Sequence, residues 1–356
     1  MKTLSKIFFI LLSLFSFYCS EENPIIPPKQ KPYVIDSSIF NWRFVEFHNF
    51  TVDELYVIDT NKIFICANDG GVFYNGTSFN RLFYSTNDFT PWCVAGTDEN
   101  NVYFGGDSFL NEHPQLRKWN GGALEVINIP EDSTQVIGDI YINSGNEVWM
   151  TAYESNRVYK LVGDSITTYT LNSTNVRGGF FYKDYSGNLN LVGQYSFGTN
   201  SGYMYIYSFR NGEWVELRRD TITNGEGIAS RGFGFCLNEI IAIGNKDMYS
   251  FNGSSWDFVA NYPEYEFPRL LVSSIGGFNK DRFLTSATKL NPYGGVFLYF
   301  WDNDKWLLQS NYNPPHPVKD SYASSILFNN TFIIYYTLPN FYNTYYFAFG
   351  NFINKK

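Results

Sequence analysis

The chain has 356 residues, of which 20% are aromatic and 17% charged, with 28 Tyr and 34 Phe. Such a composition supplies ample apolar surface for sheet and excludes an intrinsically disordered chain. The formal charge of −8 repels phosphate backbones and argues against a nucleic-acid partner. Length alone leaves open one large all-β domain or two smaller ones.

In chain order, residues 1–6 carry Lys2 and Lys6, and residues 7–18 form an apolar run. That run is shorter than the ~20 residues a membrane-spanning helix needs, so the pattern is that of an export signal. Cys19 follows directly, then Glu21 and Glu22, then Pro24, Pro27, Pro28 and Pro32. The arrangement resembles a bacterial lipoprotein signal, and the acidic pair is similar to the surface-export signal of Bacteroidota lipoproteins. The resemblance implies that Cys19 is lipidated as the first mature residue, anchoring the protein to the outer membrane of a Gram-negative cell. An ordinary secretory peptide cleaved elsewhere is the alternative. The expected organisation is a signal over 1–18, a proline-rich lipidated tether over 19–38 and a folded body over 39–356. Loss of Lys2 and Lys6 would leave 24 basic against 34 acidic residues, a net charge of −10.

Residues 51–84 break into four apolar runs, 55–58, 63–67, 71–74 and 79–83, separated by Asn, Asp, Gly and Thr. Short runs rich in β-branched and aromatic residues between such turn-formers predict a four-stranded antiparallel meander. So small a sheet cannot bury both faces alone and needs neighbours of its own kind. The same grammar recurs over 89–129, 135–171, 175–219, 227–262 and 267–312. Its clearest mark is an Asn-Gly turn, at Asn75–Gly76, Asn120–Gly121, Asn211–Gly212 and Asn252–Gly253, with Asp302, Asn303 and Asp304 in the sixth unit. Asn-Gly favours primed hairpin turns. The large residue that follows, Phe79, Trp214, Trp256 or Trp306, is expected to pack between adjacent sheets.

The last unit, 321–356, has three runs and lacks a fourth. The missing strand is supplied by residues 41–47, whose Trp42, Arg43, Phe44 and Val45 parallel Trp256, Asp257, Phe258 and Val259. A repeat of about 40–45 residues with four strands predicts an all-β, seven-bladed β-propeller, its ring closed by an N-terminal strand that completes the last blade. Over residues 40–351 the chain resembles bacterial secreted β-propellers of the two-component-regulator and kelch-like kind. Neither a WD dipeptide nor a kelch Gly-Gly pair stands in every unit, and no Asp-box is present, which argues against a sialidase.

Candidate chemistry is sparse. His48, His113 and His316 lie far apart with no ligand spacing and read as loop residues; no metal or cofactor is expected. Cys66, Cys93 and Cys236 read as buried free thiols, although Cys66 and Cys93 belong to adjacent blades and could meet. No nucleophile elbow, zinc-protease, phosphate-loop or EF-hand motif occurs, and no catalytic residue is assigned. Arg177, Arg231 and Arg269 each stand near the start of an innermost strand. If they converge they make a cationic patch at one mouth of the channel, suited to a carboxylate or phosphate; the alternative is pairing with acids such as Asp220, Glu226 or Glu266. Tyr262, Tyr265 and Tyr293 are loop aromatics suited to sugars or proteins. The favoured function is a non-catalytic, lipid-anchored, monomeric propeller that binds a glycan, peptide or protein. The rival is a glycoside hydrolase or lyase, which needs two carboxylates facing each other across the channel; inner-strand acids are sparse, Asp53, Glu54 and Asp139 being the obvious ones, on the first and third units.

Overall fold

The computed structural model describes residues 34–353, except for 109–113, 131–135, 144–146, 154, 173–176, 199–200, 225, 230–231, 245–246, 262–269, 290–295, 311, 313–322 and 337–343. The described residues contain strands and turns and no helix, and the sheets are arranged as a β-propeller. Four four-stranded antiparallel blades follow one another over 52–84, 90–127, 137–170 and 177–222. Two more four-stranded meanders, 232–261 and 270–309, then share one nine-stranded sheet. The closing blade takes three strands from 323–352 and its fourth from Phe40–His48.

The strands of a blade differ in burial because their positions differ. The second strand of the first blade, Lys62–Ala67, is buried from Ile63 to Ala67 on both faces. A run without alternation is what a strand covered on both sides requires. The fourth strand, Phe79–Tyr84, keeps partly exposed positions along its length.

Apolar clusters fill the gaps between consecutive meanders. Val94 and Phe104 of the second blade share a cluster with Phe64 of the first; Met150 of the third shares one with Leu116 of the second; Trp214 of the fourth meets Trp149 of the third edge to face. Phe251 shares a cluster with Ile206 and Trp306 with Ile241, and Phe332 of the closing blade meets Phe300. Ile333 and Phe347 then return to Val52 and Ile65 of the first blade, which completes the circuit. Each fully buried side chain of this size contributes ~1.5–3 kcal/mol, and no meander holds a core without its neighbours.

The tryptophans near the start of the fourth strands of the fifth and sixth meanders pack toward the preceding meander, as the repeat predicts. Trp256 Nε1 donates to Asp220 Oδ2 of the fourth blade at 2.7 Å. Trp306 Nε1 donates to the Asn261 carbonyl of the fifth meander at 3.0 Å. The turns themselves are of two kinds. Asn211 and Gly212 both have positive φ, 53° and 88°, as a two-residue primed turn demands. At Asn75 and Asn252 the loop is wider, and the side-chain oxygen accepts the amides two and three residues on: Thr77 and Ser78 at 3.1 and 2.8 Å, Ser254 and Ser255 at 3.1 and 2.9 Å.

Closure follows the expected pairing. Phe40–His48 runs antiparallel to Thr344–Phe352, with Trp42 opposite Gly350. Two expectations are corrected. Seven separate sheets are replaced by six, because the inner strands Gly232–Cys236 and Leu270–Asn279 hydrogen-bond in parallel, Phe235 with Gly276 and Cys236 with Gly277. Glycine explains the join: a Cβ on Gly234 would lie 2.5 Å from that of Ile275, so only a bare backbone allows the approach. The folded body also begins before residue 39. Val34–Ser37, assigned to the tether, runs parallel to the outer strand Lys305–Gln309, whose unpaired edge offers it a ladder.

Candidate functional site

The inner strands Val52–Asp59, Thr90–Asp98, Ile137–Asn143 and Arg177–Lys183 carry a register irregularity near their starting ends. A bulge there turns one side chain out of the ladder and toward the next blade. Glu54 Oε2 accepts the Val94 amide of the second blade at 2.8 Å. Cys93 Sγ lies 3.5 Å from the Ile137 carbonyl of the third, and Asp139 Oδ2 accepts the Phe181 amide of the fourth at 2.9 Å. One bulge after another links the first four blades around the axis.

These carboxyls have an unusual electrostatic setting. Burial, then the neighbouring Asp139 carboxyl, holds Glu54 well above the ordinary glutamate range, against the pull of the Val94 amide. Burial pushes Asp139 up to about 7, opposed by the Phe181 and Ile140 amides. Asp53 keeps open surface, yet the protein packed around it draws it up to about 6. Burial raises the Tyr335 hydroxyl, and Glu54 and Asp53 add to it. Asp53, Glu54 and Asp139, separated in sequence, thus form one electrostatic group. Each central pair member already has an oxygen committed to a backbone amide of the adjoining blade. Among the described residues no cluster of three or more His, Cys, Asp or Glu side chains forms a metal site.

Of the expected cationic patch, Arg231 and Arg269 lie outside the described residues. The Arg177 backbone begins an inner strand, but its side chain is also outside them. Asp220, offered as a pairing acid, is engaged by Arg218 at 2.8 Å. Cys19, Tyr262, Tyr265, Tyr293, His113 and His316 are outside the described residues as well. His48 sits 3.1 Å from Glu46 on the exposed side of the closing strand. Cys66, Cys93 and Cys236 are buried free thiols.

Two cavities are relevant to binding. One, about 400 Å³, lies along the inner strands of the fifth, sixth and closing meanders and is lined by Phe233, Phe235, Ile275, Leu327 and Tyr335. The other, about 480 Å³, opens between the fourth blade and the fifth meander at their hairpin ends. Tyr182, Tyr185, Asn190, Arg210, Glu239 and Asn252 contribute to its wall. Its rim is made by the turn 184–188, where Asp184 Oδ1 accepts the Ser186 and Asn188 amides, both at 2.9 Å. That turn leaves the Tyr185 side chain 66% exposed. No sequence motif marks this cavity, since its residues come from four hairpins of two repeats. Exposed aromatics also stand on inner strands: Trp92 on the second blade and Phe180 on the fourth.

No protein-family model matches the sequence, and no curated protein matches it. Solved structures do match, as β-propellers. Virginiamycin B lyase from Staphylococcus aureus aligns with a TM-score of 0.60 at 12% identity, over 88% of this chain and 100% of that one. YCF48 bound to D1 peptide gives 0.61 at 13%, over 89% and 99%. The extracellular domain of a protein described as a one-component system from B. thetaiotaomicron gives 0.56 at 12%, over 88% of this chain and 40% of that one. Likeness at this identity defines the scaffold alone, which hosts lyase chemistry in one case and peptide binding in another.

Proposed function

We propose that this chain is a non-catalytic recognition propeller, held at the cell envelope through a lipid on Cys19 and binding a glycan, peptide or partner protein. The proposed ring has seven blades, the nine-stranded sheet being read as two blades joined at their inner strands. The observation that carries the reading is the engagement of Glu54 and Asp139 by the Val94 and Phe181 amides. A hydrolase of the two-carboxylate kind needs one acid and one free base or nucleophile facing a common substrate space. Here the two carboxyls of the pair act as latches between blades. The outer-membrane address rests on the resemblance of residues 1–22 to a lipoprotein signal.

The test uses the full chain in detergent, incubated with oligosaccharide and peptide panels and followed by mass spectrometry and by binding. Saturable binding with no new products supports recognition. Product release that disappears in Glu54→Gln or Asp139→Asn would overturn it in favour of a carbohydrate-active enzyme.

A further inference from the structure

We propose that the cavity between the fourth blade and the fifth meander is a binding site for a neutral carbohydrate, with Tyr185 as its stacking platform; this rests on the recognition reading above. Its volume of about 480 Å³ falls within the ~300–1,000 Å³ typical of small-molecule sites. Its wall combines one open aromatic ring with groups of every hydrogen-bonding kind, the mixture that hydroxyl groups satisfy as donors and acceptors together.

Three observations point to a ligand rather than to a surface dimple. Asn190 is 1% exposed; its Nδ2 donates to the Asn188 carbonyl at 3.2 Å, while its Oδ1 has no hydrogen-bond partner. A buried acceptor left open costs ~1–3 kcal/mol, so this wall of the cavity keeps an unsatisfied polar group just behind its surface. Arg210 is exposed, and its Nε donates to Ser208 Oγ at 3.3 Å; its terminal nitrogens have no partner among the described residues. Tyr185 presents a large ring to solvent at the rim, held there by a turn that its neighbour Asp184 fastens with three hydrogen bonds. A preset aromatic loses little freedom when a ligand covers it.

Charge selects the class. Asp184 and Glu239 border the same space as Arg210, so the lining has both signs and no cationic excess. Asp184 is kept ionised by the turn's hydrogen bonds, and the Glu239 Oε2 accepts the Lys280 amide of the sixth meander. An anionic ligand would meet two carboxylates for one guanidinium on a chain that is acidic throughout. A neutral sugar meets no such barrier. One ring face can lie on Tyr185 while hydroxyls meet Arg210 and the carboxylates of Asp184 and Glu239 that border the same space.

The experiment titrates the full chain in detergent with cellohexaose, maltohexaose, mannohexaose and xylohexaose, and with hexagalacturonate as the anionic comparator. Tyr185→Ala and Arg210→Ala are the test variants, and Tyr84→Ala, an equally exposed tyrosine on the first blade, is the control. The result expected is binding of at least one neutral hexasaccharide, weakened tenfold or more by Tyr185→Ala with unchanged thermal stability and untouched by Tyr84→Ala. Neutral-sugar binding insensitive to Tyr185→Ala and Arg210→Ala would overturn the site while leaving the recognition reading in place. Binding of hexagalacturonate alone, or of no sugar, would overturn the ligand class. Hydrolysis of any hexasaccharide would overturn the recognition reading itself.

Discussion

Trp42 lies across Gly350, its opposite number in the strand pair that closes the ring; a Cβ on the glycine would come within 2.5 Å of the indole. The contact joins the start of the folded chain to its end, and Phe40 beside it is fully buried against Phe300, Phe332 and Phe352. Gly350→Val forces the indole out of its place and is expected to destabilise by ~1–3 kcal/mol, the usual cost of overpacking. A smaller side chain at position 42 should relieve part of that loss, so Trp42→Leu combined with Gly350→Val would be less damaging than the sum of the two changes. Thermal melts of the four proteins give the coupling; strict additivity would show that the two residues do not meet.

The Asp139 carboxyl gives the fold a pH signature. Its pKa is about 7 in the fold against 3.8 for an open aspartate. Between those values the folded protein keeps a proton that the unfolded chain has released, so stability falls as pH rises from about 4 to about 7 and levels off above. Glu54 is raised in the same direction and reinforces the slope. Asp139→Asn retains an oxygen to accept the Phe181 amide and removes the titration. The variant is expected to be more stable than wild type at pH 7.5 by up to ~4 kcal/mol, with the advantage gone near pH 4. Urea unfolding at both pH values decides it; an equal slope in the two proteins would place the titration elsewhere.

Most of the scaffold was legible in the sequence because each blade repeats a local instruction. A buried second strand such as Ile63–Phe64–Ile65, an Asn-led turn and a following aromatic are all decided within about 20 residues. The closing strand was legible for the same reason, since Trp42 to Val45 copies a fourth strand that its own segment lacks. The parallel join at Phe235 and Gly276 was not, because it depends on how closely two inner strands approach in space, and Gly234 and Gly276 announce only that they could. The carboxyl group around Glu54 was half legible. The residue types were visible, but Asp53, Glu54 and Asp139 sit on the first and third blades, and only ring geometry brings their fields together. The cavity beneath Tyr185 was least legible, since each of its side chains serves a turn when read alone.

The lipid anchor proposed above predicts that fatty-acid attachment depends on Cys19 alone. Among the four cysteines, Cys66, Cys93 and Cys236 are buried free thiols inside the fold. Cells fed a labelled fatty acid should incorporate it into the wild-type chain and not into Cys19→Ala, which should leave the membrane fraction. Label retained by Cys19→Ala would remove the lipoprotein assignment.

The three interior thiols should be silent in the native protein. Burial raises each of them well above the ordinary thiol value, which suppresses the reactive thiolate, and closes off the approach of a reagent. Titration with an aromatic disulfide reagent on the Cys19→Ala chain is expected to detect no thiol at pH 8 and all three after denaturation. Rapid labelling of one thiol in the native state would mean that its blade opens locally on the timescale of the assay.

The parallel join between the fifth and sixth meanders makes the last prediction. Phe235 pairs with Gly276 and Cys236 with Gly277, and the Leu237 amide donates to the Gly277 carbonyl at 3.1 Å just beyond them. The two strands reach that distance because Gly234 has no side chain to press on Ile275. Ala in its place puts a methyl group 2.5 Å from the Ile275 Cβ and 2.7 Å from its carbonyl oxygen, so the strands must part. The ladders within each meander, such as Ile241 with Ser250 and Leu284 with Phe300, do not pass through this contact. Gly234→Ala is therefore expected to speed amide exchange at Leu237 by tenfold or more while exchange at Ile241 and Leu284 changes little. If Ile241 and Leu284 lose protection together with Leu237, the join is a support on which both meanders depend, and separate blades would be the wrong description of this part of the ring.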